Sequence, residues 1–144
     1  MYSEIVMDHF INPRNVGIVV NANGRGIAGD PECGDYLEIT IDVKSDKTPF
    51  VKGKSYYISD IKFKVHGCVG AISTSSMITE LAKGLHIIDA YKLENKDVIK
   101  ALGGLPEEKI HCSLLGIVAL RKAIINYAEL EQQQEIQAKQ NIIT

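Results

Sequence analysis

The hydrophobic pattern changes period several times along this chain, and each change marks a change of element. Residues 36–44 alternate strictly, with Leu37, Ile39, Ile41 and Val43 on one face and Glu38, Thr40, Asp42 and Lys44 on the other. A period of two with one apolar face is a half-buried strand. After a long polar connection over 45–54 the same period returns, with Ile61, Phe63 and Val65 inward and Lys62, Lys64 and His66 outward. Two such strands predict an antiparallel hairpin with a wide tip, backed by helices on one face. Gly67-Cys68-Val69-Gly70 then turns strand into helix, and Ala71, Ile72, Met77, Ile78, Leu81, Ala82 and Leu85 supply that helix's core side, with Gly84 near its end. A short helix is expected around 87–93, then another that Asn95 can cap and Gly103-Gly104 can close. Over 113–130 apolar residues surround much of the principal core helix, while Lys122, Asn126, Glu129 and Gln133 leave a wet stripe.

Toward the ends the pattern weakens. Ser3 can cap a short helix carrying Tyr2, Val6 and Phe10 beside Ile5 and His9, stopped by Asn12-Pro13-Arg14-Asn15, and it reads as a docking helix. Residues 17–30 hold glycines at 17, 24, 26 and 29 and read as a mobile loop or an irregular edge strand. They lack the Gly-Lys-Ser/Thr ending of a phosphate loop. Beyond Glu131 the Gln-rich end has too little apolar content to pack, so fraying is expected from about Gln132. The division is therefore one domain over 1–131 and a polar, flexible tail over 132–144.

Composition narrows the function. With 144 residues, 45% hydrophobic and 24% charged, the chain has the make-up of an ordinary globular domain that folds alone. Net charge of -2 and a pI of about 6.1, with Lys and Arg scattered, give no basic stripe, so no nucleic-acid partner is expected. No apolar run approaches the roughly 18 residues of a membrane span, and Met1-Tyr2-Ser3-Glu4 lacks a cationic signal head. A cytoplasmic protein without a membrane partner is the expectation. In such a reducing setting three widely spaced cysteines are metal ligands, reactive thiols or small buried hydrophobes rather than a disulfide framework.

The cysteines share a setting. Cys33 lies in Gly29-Asp30-Pro31-Glu32-Cys33-Gly34-Asp35, Cys68 in the strand-to-helix turn, and Cys112 beside His111 at the mouth of the long helix. They are 35 and 44 residues apart, with no CxxC pair, so only the fold can bring them together. At a helix N-terminus, unpaired N–H groups and the macrodipole favour a thiolate by roughly 0.3–1 kcal/mol, and the thiolate is the form that binds metal and attacks sulfur. With Asp35 and His111 they offer five donors to a centre needing four, a set suited to tetrahedral Zn(II) or iron-sulfur chemistry. A surplus donor fits a site that releases what it holds. Against this stand plainer readings: each cysteine as a buried hydrophobe, Asp35 as a turn residue and His111 as a helix-start histidine bonded to backbone. His66 is read as solvated or supporting, His9 and His86 as structural and without partners, and Lys109 as exposed rather than functional.

Asn12-Pro13-Arg14-Asn15-Val16-Gly17, Cys33-Gly34-Asp35, Gly67-Cys68 with serines from Ser73 to Ser76, and Lys109-Ile110-His111-Cys112-Ser113-Leu114 together resemble the IscU/NifU N-terminal family of iron-sulfur cluster assembly scaffolds. The resemblance runs over about 2–130. It implies an α+β fold, a small antiparallel sheet of about three strands packed against helices. It implies Cys33, Cys68 and Cys112 as cluster ligands and sulfur acceptors, Asp35 as the residue that keeps the cluster labile and His111 as an additional ligand. The implied cargo is a transient 2Fe-2S cluster, with Zn(II) able to occupy the same site. The implied partners are a PLP-dependent cysteine desulfurase, an iron donor and apo iron-sulfur proteins. Cys112, beside an imidazole and at a helix start, is the expected first sulfur acceptor, ahead of Cys33.

The chain departs from that pattern in three ways. Leu105-Pro106-Glu107-Glu108-Lys109 replaces the Leu-Pro-Pro-Val-Lys read by a DnaK-type chaperone, which counts against such a partner. The connection over 45–57 is longer than usual, and a multi-domain NifU with a second cysteine domain is not expected. Two alternatives of other classes stand beside the non-enzymatic scaffold. One is a zinc-dependent SufU-like sulfurtransferase, disfavoured because no insertion separates Cys68 from Cys112 and because His111 is present. The other is a structural zinc module, which chelation would unfold. A cysteine hydrolase is weaker still, since nothing marks an oxyanion hole.

Overall fold

In the computed structural model, residues 2–29, 35–46 and 55–143 are described. The order is α1 (Glu4–Ile11), β1 (Gly24–Gly29), β2 (Tyr36–Asp46), β3 (Ser55–His66), α2 (Val69–Ala82), α3 (Ile87–Tyr91), α4 (Asn95–Ala101), a 3-10 turn over Glu107–Lys109 and α5 (His111–Ile143). The three strands form one antiparallel sheet in the order β1-β2-β3. The hairpin is as the alternation predicts and the α+β class as the resemblance implies, and Leu37, Ile39, Ile41 and Val43 all lie in the core.

The hairpin strands run further into the connection than their alternation reveals, because a bulge breaks the parity. Pairing proceeds Asp42 with Asp60 but Val43 with Ile58, so Ser59 is the extra residue, its hydroxyl donating to the Asp42 carbonyl at 2.9 Å. Ile58 and Ile61 therefore both face inward, three positions apart, and both are fully buried. A strict period of two misses the first half of β3 for this reason.

Of the two readings offered for 17–30, the edge strand is the one found, and its glycines explain themselves by what lies above them. Gly24, Gly26 and Ala28 face inward, and α5 crosses directly over them. A Cβ on Gly26 would overlap the Ala119 carbonyl oxygen and come to 2.5 Å from the Ala123 nitrogen. The open edge of β1 is blunted by the same helix: Asn126 Oδ1 accepts from the Arg25 amide at 2.9 Å, and Lys122 Nζ donates to the Ile27 carbonyl at 3.2 Å. Two members of the expected wet stripe thus close a strand edge.

The opposite edge is closed by residues 15–17. Asn15 O accepts from the Phe63 amide at 2.9 Å and the Gly17 amide donates to Phe63 O at 2.9 Å. Asn15 holds φ of 60°, and its side chain donates to Thr79 Oγ1 at 3.0 Å, so the turn is tied to α2. Ser3 caps α1 as expected, accepting from the Val6 amide at 3.1 Å and donating to the Leu102 carbonyl at 2.5 Å. The cap of α4 differs: Glu94, not Asn95, is the N-cap, with its amide donating to Asp97 Oδ2 at 2.9 Å.

Helix α2 departs most from its apolar pattern. Ser73, Thr74, Ser75, Ser76 and Thr79 are all buried beside Ile78 and Ala82, whereas Ile72, Met77 and Leu81 are only partly covered. The helix is enclosed by α1, α4, α5 and β3. Its hydroxyls find backbone carbonyls: Ser75 donates to that of Ala71 at 2.6 Å and Thr79 to that of Ser76 at 2.7 Å within the helix, and Ser73 donates across to that of Val6 at 2.8 Å. Helix α5 continues to Ile143, past the point where fraying is expected, although residues 132–142 are exposed as the loss of apolar content predicts. By length and composition the span Glu107–Ile142 could cross a bilayer, but half of its most apolar window is buried. Its Ile117, Leu120, Ala123 and Ile124 lie in the core, which accounts for that apolar content.

Candidate functional site

Two of the three cysteines meet. Strand β3 ends at His66, Gly67 turns the chain, and Cys68 becomes the N-cap of α2 with extended backbone. Cys112 occupies the first turn of α5. The two helices pack together with their first turns in contact, and Cys68 Sγ lies 3.7 Å from Cys112 Sγ. His111 Nε2 is 3.7 Å from the same Cys112 sulfur. Both thiols are free; Cys68 is half-buried and Cys112 is 7% exposed.

Small residues line the junction. At Gly70 a Cβ would stand 3.2 Å from Cys112 Sγ and 3.7 Å from Cys68 Sγ, so the absent side chain leaves space beside both sulfurs. At Gly67 a Cβ would come to 2.9 Å from the Ala71 Cβ and 3.6 Å from Asp35 Oδ1. Gly67 thus allows the Asp35 carboxylate, exposed just before β2, to lie close to the turn that carries Cys68. Thr74, in the next turn of α2, donates to the Cys112 carbonyl at 3.4 Å and links the two helix starts.

The charge environment separates the two thiols. Burial opposes ionisation of Cys68, yet the amide of Ala71, the Cys112 thiol, the amide of Gly70 and the positive charge of Lys109 outweigh it, holding its pKa below that of an ordinary cysteine. Burial also dominates at Cys112, and there the hydrogen bond and charge of Cys68 reinforce it, with Asp35 adding to them against Lys109; the thiol is pushed up to about 11. A helix start and an adjacent imidazole, the grounds for expecting Cys112 as first sulfur acceptor, do not make it the readier thiolate of the two. Its helix start is enclosed, and its neighbour ionises first. Lys109 also needs revision: it is only partly exposed, and its charge favours the thiolate at both cysteines.

Cys33 lies outside the described residues, and among the described residues no three His, Cys, Asp or Glu side chains form a ready metal-binding group. The geometry thus brings Cys112 against both Cys68 and His111, and Asp35 to the turn that carries Cys68. The other histidines are occupied elsewhere. His66 is exposed and stacks on Tyr36, ring centroids 6.3 Å apart. His9 and His86 are structural as expected but not without partners: His9 Nδ1 meets Ser76 Oγ at 2.7 Å, and His86 caps α3 by accepting from the Ile88 amide at 3.2 Å. Lys109 is the site-lining residue that sequence reasoning set aside as exposed, whereas Gly70 belongs to the glycine-flanked turn it singled out.

Comparison with known proteins shows what the chain resembles. The chain is 50% identical over 127 residues to the iron-sulfur cluster assembly scaffold protein IscU 1 of Archaeoglobus fulgidus, covering 88% of this chain and 76% of that protein. It is 47% identical over 126 residues to the scaffold protein IscU of Aquifex aeolicus, covering 88% and 75%. Among solved structures, the N-terminal part of a nitrogen-fixing NifU-like protein from Brucella abortus matches with a TM-score of 0.60 at 14% identity, over 88% of this chain and 94% of that one, a likeness of fold. The family model of the NifU-like N terminal domain matches residues 1–134. With that model spanning most of its length and relatives near half identical, the chain belongs to the NifU-like N-terminal domain family.

Proposed function

We propose that this protein is an iron-sulfur cluster assembly scaffold: it gathers iron and sulfur into a 2Fe-2S cluster and hands the cluster on, without turning over a small substrate. The observation that carries the reading is the contact between Cys68 and Cys112, 3.7 Å apart where two helix N-termini meet, with the His111 ring nitrogen 3.7 Å from Cys112. Soft thiolates beside an imidazole are the donor set that iron-sulfur chemistry uses. The named activity of the relatives at 50% and 47% identity supports the same conclusion.

In this reading Cys33, Cys68 and Cys112 hold the cargo with Asp35 or His111 as the fourth donor, and the harder Asp35 oxygen keeps the assembly exchangeable. Sulfur arrives from a PLP-dependent cysteine desulfurase. A scaffold thiolate attacks the outer sulfur of the donor's persulfide; the new S–S bond forms on the scaffold as the old one breaks, and the donor leaves as thiolate. Of the two cysteines among the described residues, Cys68 is the one better prepared as a thiolate for that attack. Zn(II) is a competing occupant of the same donors. A cytoplasmic setting is part of the proposal, because thiols in contact stay reduced only in a reducing compartment.

Anaerobic incubation with ferrous iron, cysteine and a desulfurase tests the reading. Visible sulfur-to-iron charge-transfer absorption that is lost in Cys68→Ser and Cys112→Ser is expected. A colourless wild type, alongside an established scaffold that colours, contradicts it. A protein that instead accelerates the desulfurase while holding one zinc is the sulfurtransferase alternative.

A further inference from the structure

We propose that Cys68 and Cys112 form a reversible disulfide on exposure to a peroxide, and that this bond acts as a redox lock on the site. The two sulfurs are already in van der Waals contact at 3.7 Å, and a disulfide needs them at about 2.05 Å. The remaining approach is short, and it is unobstructed on the side where a bridging side chain would interfere, because position 70 is glycine. Cys68, half-buried at a helix N-cap, is the sulfur a small oxidant reaches; Cys112, 7% exposed, is the one shielded from it. That asymmetry divides the labour of a peroxidatic and a resolving thiol.

The chemistry balances with hydrogen peroxide as the oxidant. The Cys68 thiolate attacks one peroxide oxygen, the O–O bond breaks, and the products are a Cys68 sulfenic acid and hydroxide, which takes up the proton that Cys68 gave up on ionising. The Cys112 sulfur then attacks the sulfenic sulfur, the S–O bond breaks, and the hydroxyl leaves with the Cys112 proton as water. Two thiols lose two hydrogens, and one peroxide becomes two waters. A thiol reductant reverses the outcome by exchange. The functional consequence rests on the scaffold reading: with two sulfurs joined to each other, only Cys33, Asp35 and His111 remain to hold metal, so the oxidised chain accepts no cargo.

The test begins with the metal-free, full-length protein and one equivalent of hydrogen peroxide under anaerobic conditions. Unreduced proteolytic digests are read by mass spectrometry. A Cys68–Cys112 linked peptide, lighter by two hydrogens and abolished by dithiothreitol, should be the main product, and it should form equally in Cys33→Ser. Main products in which Cys33 is bridged, or in which Cys68 carries added oxygen without a partner, overturn the proposal. Zn(II) binding to the oxidised and re-reduced protein is then measured by competition with a chromophoric chelator. Binding weaker by more than about 100-fold after oxidation, and restored by reduction, is expected from the loss of two thiolate ligands. Unchanged zinc affinity in a fully bridged sample refutes the lock. Because the first measurement needs no cluster, failure of the scaffold reading and failure of the disulfide are separate results.

Discussion

Alkylation kinetics give the sharpest test of the charge asymmetry between Cys68 and Cys112. The perturbation is pH, applied to metal-free protein with iodoacetamide, and each cysteine is followed by the mass of its own peptide. A Cys112 thiol pushed up to about 11 is roughly 0.1% ionised at pH 8, whereas Cys68, below the ordinary value of 9.0, is more than about 9% ionised there. That is a ratio of at least about 90 in thiolate. Part of it is cancelled, because a more basic thiolate is more nucleophilic; with a Brønsted slope of about 0.4–0.5, two pKa units return a factor of roughly 8. Cys68 should therefore react at least about tenfold faster than Cys112 at pH 8, and the burial of Cys112 widens the gap. Between pH 8 and 10 the Cys112 rate should climb close to tenfold per unit while that of Cys68 levels off. In Cys68→Ser the neighbouring charge is gone, and Cys112 should react faster than in the wild type at pH 8. Equal rates at pH 8, or a Cys112 rate that levels off below pH 9, would refute the assignment.

Other consequences are simpler to read. Gly26→Ala places a methyl group against the Ala119 carbonyl of α5, and a loss of about 3 kcal/mol, seen as a fall of several degrees in Tm, is expected; an unchanged Tm would mean that β1 and α5 are not in contact. His9 is held below its ordinary value of 6.5, first by burial and then by the Arg14 charge, so the unfolded chain binds more protons. The contribution of this site is complete above about pH 6.5 and is lost as pH falls through the lower, folded value. Urea midpoints should fall below pH 6.5 less steeply in His9→Asn than in wild type, and parallel curves would contradict this. Asp35→Ala should prolong the life of a reconstituted cluster severalfold in the presence of a chelator, and a shorter life would remove Asp35 from its labilising role.

The parts of the fold legible in sequence were those where one face of an element meets the core and the other meets water. Leu37, Ile39, Ile41 and Val43 stood out because β2 has that arrangement. Ser3 stood out because a cap is a local hydrogen bond. Where an element is enclosed on all sides the signal fails. Helix α2 buries Ser75 and Thr79, whose hydroxyls bond to carbonyls of the preceding turn, and Ser73, which donates to the Val6 carbonyl of α1; a backbone carbonyl as partner leaves no mark in the sequence. Strand β1 was hidden by its own solution to crowding, since glycines that admit the α5 backbone also read as loop. The site was half legible. Glycine-flanked cysteines at element ends marked the helix starts that meet, but the ranking of Cys68 above Cys112 depends on enclosure by a second helix, which no local pattern encodes.

Iron and acid-labile sulfide, measured on anaerobically reconstituted wild type and on Cys33→Ser, Cys68→Ser and Cys112→Ser, test the central claim most directly. The account predicts about two iron and two sulfide per cluster in the wild type, and loss of both in each single variant. Stoichiometric zinc without sulfide in the wild type, or a full complement of iron and sulfide in Cys68→Ser or Cys112→Ser, would contradict it.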